Sequence, residues 1–195
     1  MTQLSPPDEM IYETIVISTD AVGNPHIAPF GVRERDGRIV IAPFRPSASL
    51  DNLLGQKTAT LNLTDDVRVF AGALTGRRDW PLKKASQING FVLEDALAHR
   101  ELELEQVIED ETRPQLMFRM VFAMTHAPFK GFNRAQAAVV ELAVLASRLH
   151  MLPREKIETE LQYLQTAVSK TAGEREWQAW QWLIEKIENY YKENA

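Results

Sequence analysis

The 195-residue chain contains no cysteine. That excludes disulfides, thiolate metal sites and a cysteine nucleophile, and it fits a reducing cytoplasm, where the protein is expected to reside. No apolar run approaches the roughly 20 residues that cross a bilayer, so no membrane partner is expected. Positive charge is scarce as well. With 22 Lys and Arg against 27 Asp and Glu, the formal charge is −5, which argues against a nucleic-acid binder that must neutralise many phosphates. The four histidines, His26, His99, His126 and His150, show no HxxxH or HxH spacing, so no metal site is expected. Walker A, GxGxxG and GxSxG sequences are absent too, which sets aside P-loop, Rossmann-type and serine-hydrolase chemistry.

What is present divides in two. Residues 1–10 read as a disordered leader, acidic and without the apolar segment of a secretory signal. Residues 11–18, IYETIVIS, alternate and are β-branched, as in a strand. After a turn at Gly23-Asn24, a second strand is expected over 25–35, and Asp36-Gly37 turns it into a third over 38–42. A Pro-rich loop then enters a short helix beginning near Ser47 or Ser49. A fourth strand is expected at 57–63 and a second short helix at 67–74, followed by a long polar connection over 75–90. Two more strands, 96–108 and 115–124, complete six antiparallel strands, which avoid exposed edges by closing into a barrel. In the last of them Leu116, Phe118, Met120, Phe122 and Met124 share one face. Three helices are expected beyond residue 126: one capped by Asn133, one opened by Pro153, and one over 174–191 carrying Trp177 and Trp180 as packing residues. The fold class is thus α+β, a six-stranded antiparallel barrel over 11–125 and a helical domain over 126–195.

One stretch concentrates chemistry. Arg45, Ser47, Ser49 and Asn52 offer a guanidinium, two hydroxyls, a helix N-terminus and an amide within eight positions, the mixture that holds a phosphate monoester. An ordinary capped helix with surface serines has the same composition. Asn133-Arg134 is a second helix start carrying an arginine, for which simple capping is the stronger account. In the second strand, Pro29 cannot donate to a ladder and Gly31 has no side chain, a pairing that suits a flat ligand lying on bare backbone.

The order of these signals resembles the FMN-binding split-barrel superfamily, which includes pyridoxamine-phosphate-oxidase-like and flavin-reductase-like proteins. The residues that carry the resemblance are Glu13-Thr14, 24–32 (NPHIAPFGV), 43–53 (PFRPSASLDNL), 61–67 (LNLTDDV) and 129–135 (FKGFNRA). More narrowly, the chain is similar to an uncharacterised prokaryotic family with a helical C-terminal domain, some of whose members are linked to tetrahydromethanopterin-dependent one-carbon metabolism. The resemblance implies FMN as cofactor, with Thr14 and the backbone of Ala28, Pro29, Phe30 and Gly31 along the ring. It places the phosphate on Arg45, Ser47, Ser49 and Asn52, and brings Asn62 and Thr64 near the ring. It further implies a homodimer with the flavin at the subunit interface, to which Asn133 and Arg134 contribute. A flavin-dependent oxidoreductase acting on a small, pterin-like substrate follows. A non-catalytic flavin carrier or sensor, and a dimeric assembly protein without flavin, are the other functions open to such a chain.

Overall fold

The computed structural model describes residues 9–194. Residues 1–8 of the expected leader lie outside the described residues; Glu9 itself is paired with Arg35. The chain forms two compact units, one of residues 1–63 and 81–127, the other of 64–80 and 128–195. Where the sequence reading divides the chain once, near residue 125, the helical unit also takes in 64–80, because the short helix there is apolar enough to need the company of other helices.

The first unit is a closed barrel of strands β1 (Tyr12–Thr19), β2 (Pro25–Arg35), β3 (Arg38–Ile41), β8 (Gln115–Thr125), β7 (Ala98–Ile108) and β4 (Thr58–Leu63), in that spatial order and antiparallel throughout. Its interior is filled by Val16, Val32, Ile39, Ile41, Ala59, Leu61, Leu102, Leu116 and Phe118. Helix α1 (Ala48–Gln56) adds Leu50 and Leu53 to this core, so its position is set by two leucines one turn apart. Ser47 caps it, accepting from the Leu50 N–H. Lys57 ends it in the left-handed region at φ 59° and donates to the Leu53 carbonyl, which satisfies one orphan carbonyl of the last turn.

Two expectations fail here for physical reasons. The connection over 75–90 is not all loop: β5 (Leu82–Lys84) and β6 (Phe91–Leu93) form a two-stranded hairpin in and just beyond it. Three-residue strands, one of them basic, are too short to show a period of two. The expected one-sided face of β8 is also broken. Opposite Glu101 and Leu102 the partners jump from Phe122 to Met120, and this bulge at Val121 resets the alternation. Leu116 and Phe118 stay in the core while Met120 and Met124 reach the surface.

The second unit packs α2 (Arg68–Leu74), α3 (Arg134–Ala146), α4 (Arg154–Thr171) and α5 (Glu174–Glu193). On α3 the buried Ala135, Ala138, Val139, Leu142, Ala143 and Ala146 follow the helical period. They meet Ile157, Val168, Ala179, Trp180, Leu183 and Ile187 from the next two helices. Trp180 is a core residue; Trp177, 45% exposed, is not.

Candidate functional site

The register of the strands decides which residues can meet. Ser18 of β1 stands opposite His26 of β2, and Thr14 opposite Phe30. Helix α1 lies against both strands, and Ser49, 7% exposed, faces His26 with Oγ 3.0 Å from Nε2. One turn further along, Asn52 Nδ2 donates to Ser18 Oγ at 3.3 Å. Two polar side-chain pairs, His26 with Ser49 and Ser18 with Asn52, therefore lie side by side where the end of β1, the start of β2 and the first half of α1 come together. Ser49 and Asn52 were legible as a helix-start motif. His26 and Ser18 were not, since their signal is the cross-strand register rather than any local spacing.

The neighbouring strand has an unusual edge. β2 pairs with β1 over residues 25–32, but β3 joins its other side only from Arg33 onward. Between Pro25 and Val32 the barrel is split there, and backbone groups directed away from β1 have no strand partner among the described residues. This accounts for Pro29, whose missing N–H costs nothing on an open edge. Gly31 has a different explanation from the expected bare platform. A Cβ on it would sit 2.8 Å from Ile11 Cγ2 and 3.3 Å from Glu13 Oε1, so the space above this glycine is filled by the chain's own side chains. Faces also alternate: Ala28 stands opposite the core residue Val16, and Phe30 packs on the core, whereas Pro29 and Gly31 turn outward. Backbone N–H and C=O groups also alternate in direction along the strand, so the open edge presents those of only every second residue of the four. Thr14 is engaged on the paired side of β2, its hydroxyl donating to the Phe30 carbonyl at 3.0 Å.

Arg45 is 42% exposed at the side chain and pairs with Glu109 at 3.0 Å, while its backbone N–H donates to the Thr112 carbonyl at 2.8 Å. An exposed pair of this kind is weak and exchanges readily for a better anion. With the Ser47 and Ser49 hydroxyls and the N-terminus of α1, the Arg45 guanidinium makes a donor set that fits a phosphate monoester.

The other expected residues have local partners within their own units. Asn62 is wholly buried, with Nδ2 on the Ile15 carbonyl and on Thr60 Oγ1, and Oδ1 accepting from the Leu93 N–H. Its amide braces the barrel wall against the β5–β6 hairpin. Thr64 accepts from the Asp66 N–H in the turn before α2. Asn133 caps α3, accepting from the Ala135 and Gln136 N–H groups, and donates to the Thr171 carbonyl. Arg134 is exposed and lines a shallow groove of the helical unit with Ala138, Glu141, Tyr163 and Leu164. These three belong to the helical unit, each with a local role.

A second polar cluster was missed entirely. Thr60, Asn62, His99 and Glu101 occupy one outward face of β4 and β7, since Thr60 pairs with Glu101 and Asn62 with His99. The hairpin covers them. Glu101, with no exposed surface, accepts the N–H groups of Ser86, Gln87 and Ile88 at 2.6, 2.6 and 3.0 Å, and His99 Nε2 lies 3.3 Å away. Burial alone would raise its pKa, but the three N–H donors and His99 outweigh burial and hold it below the ordinary glutamate value. His99 Nδ1 in turn lies 2.8 Å from Nε2 of the exposed His126. The His126 pKa is lowered by shielding from water, then by Lys83 and His99. Among the described residues, no three His, Cys, Asp or Glu side chains are arranged to hold a metal ion.

A six-stranded antiparallel barrel, unpaired along one side of a strand and with a serine-bearing helix packed on that strand, has the architecture of the split-barrel class. Residues 12–127 match the N-terminal domain, and residues 133–185 the C-terminal part, of a family described as protein of unknown function DUF447; the chain belongs to this family. A comparison with curated proteins finds no match. Among solved structures, the FMN-bound DUF447 protein MM1853 from Methanosarcina mazei shares the fold at TM-score 0.80 and 22% identity, over 91% of this chain and 95% of its own. The 2-nitrobenzoate 2-nitroreductase NbaA of Pseudomonas fluorescens is similar at TM-score 0.51 and 19% identity, over 63% of this chain and 67% of its own. Flavoredoxin from Methanosarcina acetivorans is similar at TM-score 0.52 and 7% identity, over 65% and 76%. No helix among the described residues is long and apolar enough to cross a membrane.

Proposed function

We propose that the chain binds FMN at the split edge of β2 and acts as a flavin-dependent oxidoreductase on a small, pterin-like or other heterocyclic substrate. The observation that carries this reading is the meeting of an open backbone edge, residues 25–32, with the Ser47–Ser49 start of α1 through the His26–Ser49 contact. The FMN-bound state of the M. mazei protein, which has this fold across nearly its whole length, supports it. In this reading Arg45 leaves Glu109 to neutralise the phosphate, and Ser47 and Ser49 donate to it. His26 holds the Ser49 rotamer that aims one of those donors. The bound flavin supplies hydride chemistry; the protein supplies binding, orientation and proton handling. The working unit is a homodimer in the cytoplasm, with the flavin at the subunit interface.

The protein purified from cells is expected to be yellow, with flavin absorption, and to release FMN rather than FAD or riboflavin on denaturation. A colourless preparation that neither quenches nor perturbs added FMN would refute the proposal.

A further inference from the structure

Glu101 does more than its structural task requires. A carboxylate that staples the 86–88 turn is already served by three N–H donors. It has a fourth partner, a buried histidine, and that histidine bonds to a second one at the surface. The protonation pattern of this chain follows from donor chemistry. An ionised carboxylate only accepts, so the nearest His99 nitrogen, Nε2, carries a hydrogen. In a neutral imidazole the other nitrogen is then an acceptor, so His99 Nδ1 receives its hydrogen bond from His126 Nε2–H. This leaves Nδ1 of His126, on an exposed residue, as a basic lone pair. The two rings lie within 6° of parallel with centroids 5.0 Å apart, while the nitrogens are 2.8 Å apart. Nitrogens closer together than the ring centres indicate an approach along ring edges, the alignment a proton needs to pass.

We propose that Glu101, His99 and His126 form a proton relay that makes His126 the acid–base group of the barrel, serving a substrate oxygen or nitrogen, such as that of a carbonyl or imine, that must gain or lose a proton. A proton taken up at His126 Nδ1 lets the Nε2 proton move to His99 Nδ1. His99 then carries both ring protons as an imidazolium beside the Glu101 carboxylate, and His126 is neutral again. The reverse sequence delivers a proton outward, and no electron moves in either direction. Glu101 and His99 are positioning residues. The other groups facing the chain are Lys83 of β5, whose charge opposes a cation on His126, and the uncharged Thr60 and Asn62 of β4. Use of the relay in a reduction rests on the flavin reading; the relay itself does not, and its test contains no flavin.

Long-range proton–nitrogen NMR spectra of the full-length, 15N-labelled chain, recorded across a pH series, report the tautomer and titration of each ring. At high pH both His99 and His126 are expected as Nε2–H tautomers. On acidification the two rings should shift with one shared midpoint, because one proton serves both. In His126→Gln, which removes an exposed ring, His99 should stay neutral through that range, its midpoint lower by about one pH unit or more, a tenfold loss of proton affinity. Glu101→Gln, if folded, should lower the shared midpoint by a similar amount. A His99 that does not titrate while His126 titrates alone, or a His126 in the Nδ1–H form at high pH, would overturn the relay, with the flavin proposal untouched.

Discussion

Glu101→Ala is expected to cost the barrel about 3 kcal/mol or more, the lower limit being about 1 kcal/mol for each of three N–H groups left without an acceptor. The Ser86, Gln87 and Ile88 N–H groups all end on this one buried carboxylate. Alanine leaves both the donors and the cavity of the lost side chain. His99 loses the partner that fixes its tautomer. The damage should begin locally, with faster amide exchange in residues 86–88 and loosening of the β5–β6 hairpin, and then lower the urea midpoint of the whole barrel. The same carboxylate gives an acid limit. Because its folded pKa lies below its unfolded value, its contribution is complete above the unfolded pKa and is lost as the pH falls through the folded one. Wild-type stability should therefore drop on the acid side of the ordinary glutamate range, and the Ala variant should lack that component of the drop. A variant within about 0.5 kcal/mol of wild type, with the same acid profile, would show that the hairpin is held by something else.

The double variant Arg45→Ala/Ser49→Ala is expected to retain the fold and lose FMN. Arg45 is engaged through an exposed pair with Glu109, so its removal costs little stability. Ser49 is buried, but its hydroxyl bonds to the surface of β2 through His26, and the core leucines beside it, Leu50 and Leu53, are untouched. Each lost charge-assisted contact is worth about 1–3 kcal/mol. Two of them correspond to a Kd raised between roughly 30-fold and 10⁴-fold. Fluorescence titration reads the change, and an unaltered far-ultraviolet dichroism spectrum excludes unfolding as its cause. Unchanged affinity would move the phosphate away from α1.

Much of the fold was open to reading because local signals agreed with the tertiary outcome. Asp36-Gly37 turns where it should, the strand over 25–35 pairs in an unbroken register, and the Ser47 cap and the 3.6-residue period of 134–146 need no partner to be recognised. Reading failed where a distant segment decides the structure. The hairpin of β5 and β6 exists because Thr60, Asn62 and Glu101 bond to its backbone, and no window of sequence contains both sides of those bonds. The bulge at Val121 shifts Phe122 and Met124 out of a face that reads as continuous. His99 and His126 lie 27 positions apart and meet only through the β7–β8 register. At the candidate site the helix-start donors were visible as composition, but their completion by Ser18 and His26 was not. Gly31 looked like bare backbone because its cover, Ile11 and Glu13, comes from the neighbouring strand and the residues leading into it.

The central claim, a phosphate-holding flavin site at the start of α1, is tested most directly by comparing FMN with riboflavin on the wild-type protein. The two ligands share the ring and ribityl chain and differ only in the phosphate. Two charge-assisted contacts at about 1–3 kcal/mol each require FMN to bind tighter by roughly 30-fold or more. Equal affinities for the two, or no binding of either, would contradict the account.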